Sequence, residues 1–236
     1  MTSEQALTRT NPDEPHGATE SRLSQFAGDF AGALLSPSET LRDVGQRVAI
    51  IPAMMLVLLI SSISVAGQVT ALLLNILQAP GFESPLPGPV LAMQLSGVLW
   101  NFVWAPVLWT IGAGLLYGAT YLLGGRGRFV SLWAATGFAL APQLLVAPIS
   151  AASELLGAIG GAWQLLGWLV VAPVTLGAFI WTGVLLVIAT RETMNVSTGR
   201  AIGALAILLG GLILLGILLI CVFALLIVAI LASLTA

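Results

Sequence analysis

Few side chains in this sequence of 236 residues could do chemistry. The single histidine, His16, sits in a polar leader, and the single cysteine, Cys221, in the most apolar stretch. So placed, they cannot assemble a zinc site, which needs three or four ligands around one ion. A lone cysteine also has no partner for a disulfide within the chain. Ionisable residues buried in apolar spans are costly and usually mark function. The apolar stretches here carry no Asp, Glu, His or Arg in their central parts. Glu154 is expected in an outer loop, and Glu192 beside Arg191 at the inner surface. A serine or aspartyl protease needs a base, and a metalloprotease needs histidine and carboxylate ligands. Neither set is available at depth, so the residues argue against an enzyme and against any metal or cofactor.

What remains in the apolar stretches is neutral: Gln68, Asn75, Gln94, Asn101, Tyr117, Tyr121, Gln143 and several hydroxyls. Asn101 and Gln143 could line a polar path in a channel or transporter for a neutral or apolar solute. The competing reading is that they hydrogen-bond across helices, worth roughly 0.6–2 kcal/mol each. Trp100, Trp104, Trp109, Trp163 and Trp168 read partly as interfacial anchors.

The elements that must hold these residues follow from composition. Apolar residues make up 58% of the chain and charged ones 8%, where a soluble domain carries roughly 25% charge. With a mean hydropathy of +1.03, such a chain cannot cover a surface exposed to water, and lipid must be its solvent. The net charge of −2 implies no nucleic-acid partner. Every basic residue is arginine, which reads as the bias of a GC-rich prokaryotic genome. The opening residues are polar, with Asp13, Glu14 and Glu20, unlike a cleavable signal.

Residues 1–24 read as a disordered cytoplasmic tail. Residues 25–47 read as an amphipathic segment on the membrane surface: Phe26, Phe30 and Leu34 repeat at steps of four. Ser36, Pro37 and Glu39 then resemble a capped helix start, and the helix they open would lie flat on the inner leaflet. From residue 48 onward, about 20 apolar residues suffice for each crossing. Spans are expected near 48–77, 90–123, 129–150, 162–190 and 201–234. The fold is therefore all-α: a bundle of five transmembrane helices preceded by an interfacial amphipathic helix.

Arginine placement checks this count, because basic residues of short loops stay cytoplasmic. Arg9, Arg22, Arg42 and Arg47 precede the first span; Arg126 and Arg128 follow the second; Arg191 and Arg200 flank the loop after the fourth. With five spans, all eight fall on one side. The N-terminus is then cytoplasmic and the C-terminus lies across what reads as a prokaryotic plasma membrane. The turn Gly124-Gly125-Arg126-Gly127-Arg128 must reverse two long helices, which calls for a glycine at positive φ.

The stretch from Thr110 to Pro142, "TIGAGLLYGATYLLGGRGRFVSLWAATGFALAP", carries a resemblance. A long helix closes on Gly124-Gly125, and a helix with Gly137-Phe138-Ala139 and Pro142 follows the basic turn. It resembles the prokaryotic branch of the Yip domain family, named for Ypt-interacting proteins. "LLSPSETLRDV" (Leu34 to Val44) is similar to the family's membrane-proximal segment, and Trp181 to Leu208 to its fourth span, inner loop and fifth span. The resemblance implies five spans, a cytoplasmic N-terminus and no established activity. Eukaryotic members bind Rab-type GTPases, but this chain lacks their Asp-Leu-Tyr-Gly-Pro motif and has Phe138 where tyrosine is frequent. Binding of a small GTPase is therefore not expected. The expected role is non-enzymatic: partner binding within the membrane or membrane organisation, with lipid, other membrane proteins or further copies of the chain as partners.

Overall fold

The structure is a computed structural model and describes residues 15–78 and 88–235. The expected tail up to residue 14 lies outside the described residues. Within them the chain is helical: α1 (Pro15–Leu35), α2 (Pro37–Arg47), α3 (Ile50–Gln78), α4 (Gly88–Leu122), α5 (Phe129–Ala139), α6 (Ala141–Ile159), α7 (Ala162–Met194) and α8 (Thr198–Thr235). Among the described residues, five apolar helical stretches are long enough to cross a bilayer, α5 and α6 counting together as the third. The protein is an all-α, multi-pass membrane protein.

Proline decides where a span breaks. Pro106 and Pro173 sit inside α4 and α7, and both helices run on through them. Pro142 instead occupies the first turn of α6, where its missing N–H is not needed. The break falls at Leu140, whose ψ of 1° leaves the helical region. The hydroxyls of Ser61, Thr120, Thr190 and Thr193 each donate to the carbonyl four residues back, so they need no further partner in lipid.

The third span is the hub. Its most apolar stretch is 56% buried inside the protein, whereas none of the corresponding stretch of α8 is buried. Phe138, Leu132, Leu56, Ala53 and Leu185 are buried around it. Gly137 is required there, because a Cβ would come within 2.7 Å of the Ala53 Cβ and 2.9 Å of the Trp109 ring. Trp109 is buried, donates to the Thr136 hydroxyl at 3.2 Å and stacks on Trp133 at 5.1 Å. It belongs to the core and is no interfacial anchor; Trp100, Trp163 and Trp168 are exposed.

Three local expectations change. α1 begins at Pro15, ahead of the expected boundary at residue 25, and its Phe26, Phe30 and Leu34 pack on the core. The Ser36 hydroxyl makes no capping bond, so Pro37 alone marks the start of α2. α6 runs to Ile159, and the chain reverses at Gly160 and Gly161, both at positive φ (79° and 63°). Glu154 is therefore helical and not in a loop. Its Oε2 is buried without a hydrogen-bond partner among the described residues.

Candidate functional site

The arginine-bearing loops meet at one end of the bundle, where α2 closes over them. Leu41, Val44 and Gly45 form the buried stripe of α2. That stripe packs on α5 and α7, so protein covers the face that amphipathicity alone would assign to lipid. Gly45 is needed at the crossing, since a Cβ there would lie 2.7 Å from the Thr193 Cγ2.

An ion triad pins this layer down. The Glu192 carboxylate is nearly buried, with its side chain 7% exposed, and each oxygen serves one arginine. Oε2 accepts from Arg42 Nε at 2.7 Å across 150 residues of sequence. Oε1 accepts from Arg191 Nε at 3.0 Å. A second group joins α1 to α2: Arg47 Nη2 donates to Asp29 Oδ1 at 2.9 Å and also pairs with Asp43. Partial burial alone would lower the Arg47 pKa, but the hydrogen bonds and charges of Asp29 and Asp43 leave it raised. A cavity of about 530 Å³ opens beside this pair, floored by Phe26, Pro52 and Met55 and rimmed by Arg22, Asp29 and Arg47.

The turn after α4 completes the junction. The Gly124 N–H donates to the Tyr121 carbonyl and the Gly125 N–H to that of Thr120, both at 3.0 Å. This pairing is the Schellman closure, with Gly124 at φ 88°. The Arg126 N–H then donates to the Met194 carbonyl at 3.1 Å, tying this loop to the end of α7. Gly127 lies so close that a Cβ would overlap the Thr193 carbonyl oxygen and sit 2.8 Å from the Met194 Cα. Arg200, at the start of α8, reaches over Gly124.

The arginines thus divide by job. Arg47 and Arg191 are in ion pairs, whereas Arg126, Arg128 and Arg200 are exposed with no carboxylate partner among the described residues. The sequence sets Glu192 beside Arg191, but its spacing does not pair Arg42 with Glu192 or Arg47 with Asp29. For Asp29 the signal is its place between Phe26 and Phe30 on α1.

Of the polar pair expected at depth, the structure describes one side chain. Gln143 Nε2 donates to the Thr182 hydroxyl at 3.1 Å, joining α6 to α7. The side chain of Asn101 lies outside the described residues. No cluster of three His, Cys, Asp or Glu that could hold a metal is found among the described residues, and Cys221 is exposed on α8. The arrangement is suited to holding helices and presenting charge. A family model, the Yip1 domain, matches residues 31–220. No curated protein and no solved structure matches the chain.

Proposed function

The chain belongs to the Yip1 domain family, and from that premise we propose a non-enzymatic membrane protein that binds protein partners through its arginine-bearing face. Its role is then one of membrane organisation, akin to trafficking, with that face and the N-terminus in the cytoplasm of a prokaryotic cell. One observation carries the reading: Arg42 of α2 donates to Glu192 of α7, a carboxylate that Arg191 also holds, and this ties the α2 layer to the spans. That layer presents a fixed surface to the aqueous side, which a protein held only for lipid packing would not need. A channel for a neutral solute draws no support from Gln143, whose amide is engaged with Thr182.

The test is copurification from native membranes in mild detergent, with partners identified by mass spectrometry. A stoichiometric partner should come with the parent and be reduced by Arg42→Gln, which releases α2 from Glu192 while leaving that carboxylate paired with Arg191. Absence of any stoichiometric partner, together with solute flux in reconstituted liposomes, would overturn the proposal in favour of a channel.

A further inference from the structure

An apolar groove of about 460 Å³ runs between α4 and α8, within the roughly 300–1,000 Å³ of small-ligand sites. Gly114, Gly118 and Ala119 form one wall, with Leu122 above them, and Gly211 and Leu215 form the other. It exists because these glycines present no side chain: a Cβ added at Gly114, Gly118 or Gly211 would meet nothing within 4 Å. Beyond Ala201 and Ala204, which are buried, most of the described α8 side chains are exposed, so the groove is open to the surrounding hydrocarbon.

Two arginines without a carboxylate partner among the described residues follow or precede its walls in the chain at one end. Arg126 follows Leu122 by one turn of chain, past the Gly124 closure. Arg200 precedes Ile207, where the α8 wall of the groove begins, by about 10 Å of helix rise. Arg200 lies over Gly124, with Nη1 3.5 Å from where a Cβ would sit. Both arginines are exposed, and neither meets a carboxylate among the described residues. Arginine matches the geometry of a phosphate and keeps its charge at any physiological pH.

We infer that this groove is a binding site for an anionic phospholipid of the leaflet facing the Gly124–Arg128 loop. One acyl chain lies along Gly114, Gly118 and Gly211, and the phosphodiester rests against Arg126 and Arg200. A helix from a second copy is the other candidate for the groove. In the same membrane orientation it would bring its own arginines to the same end and place like charges together. A zwitterionic lipid would fill the groove, but its choline would offset the charge the arginines seek.

Native mass spectrometry of the detergent-solubilised chain tests this, with phosphatidylglycerol or phosphatidylcholine added back after delipidation. The parent should retain one phosphatidylglycerol in preference to phosphatidylcholine. Arg126→Gln and Arg200→Gln should each lower that retention about fivefold, the worth of one basic residue at an anionic surface. Gly118→Leu should abolish it by filling the groove. Gly177→Leu, on the exposed face of α7, should leave it unchanged and shows that the fold accepts such a change. Equal retention of the two lipids, or retention indifferent to Gly118→Leu, overturns the inference. So does a dimer that Gly118→Leu dissociates, since the groove then belongs to a second copy.

Discussion

Glu192 is the residue on which the arginine-bearing face turns. Two guanidinium groups, Arg42 and Arg191, converge on one nearly buried carboxylate. The three members are not equivalent. Arg42 is 57% exposed and Arg191 40%, so either can turn to water if its partner is lost. Glu192 cannot be replaced by its amide without cost, because one oxygen becomes an NH2 group facing an arginine, donor against donor. Hydrogen bonds to charged groups contribute roughly 1.5–3 kcal/mol, so Glu192→Gln should destabilise the fold by about 2 kcal/mol. Arg42→Gln leaves the carboxylate paired with Arg191 and should cost less than about 1 kcal/mol, as exposed ion pairs do. Thermal unfolding in mild detergent checks the order. Equal losses for the two variants would mean that the carboxylate is not the shared anchor.

At the scale of elements, glycine sets how closely the turn after α4 can approach α7. Gly124 supplies the positive φ that closes the helix, and Gly127 supplies the contact. A side chain at Gly127 would meet backbone atoms of Thr193 and Met194, which cannot swing aside. Gly127→Ala should therefore cost about 1–3 kcal/mol, the usual penalty for overpacking. Gly118→Ala has open space around it and should stay within about 0.5 kcal/mol of the parent, as unencumbered surface changes do. The pair, compared by thermal unfolding, separates close approach from glycine content; similar losses would refute the contact. The need for a left-handed glycine in this turn is legible in the sequence, because two apolar runs flank a few polar residues. The contact made by Gly127 is not, since nothing in local spacing says that Thr193 stands opposite. The same limit explains α2. Its periodicity reveals an apolar face, but only the fold reveals that α5 and α7, and not lipid, cover it. It explains Glu154 as well: a run of small residues around it reads as a loop, while packing of α6 along α3 and α7 carries the helix on to Ile159.

At the scale of the whole molecule, the topology follows from which loops touch. The Arg126 N–H reaches the Met194 carbonyl, and Arg42 reaches Glu192. These contacts join the end of α4, the end of α7 and the segment before α3 at one membrane face. The hydrocarbon core is about 30 Å thick, so a chain crossing once more or once fewer between any two of these loops could not make them. An even number of crossings between the arginine-bearing loops is therefore built into the fold. Which way the whole bundle points is a separate matter, and the arginines bear on it. Basic residues flanking spans resist translocation, and all eight arginines precede α3 or lie in or beside the loops after α4 and α7. Reporter fusions after Arg128 and Arg200 should accordingly read cytoplasmic, and fusions after Leu77 and Ala236 should read outside. An inverted pattern at all four sites would keep the fold and overturn the orientation. A cytoplasmic reading after both Arg200 and Ala236 would show that α8 does not cross. The groove between α4 and α8 would then lose its acyl-chain environment, and the lipid site would go with it.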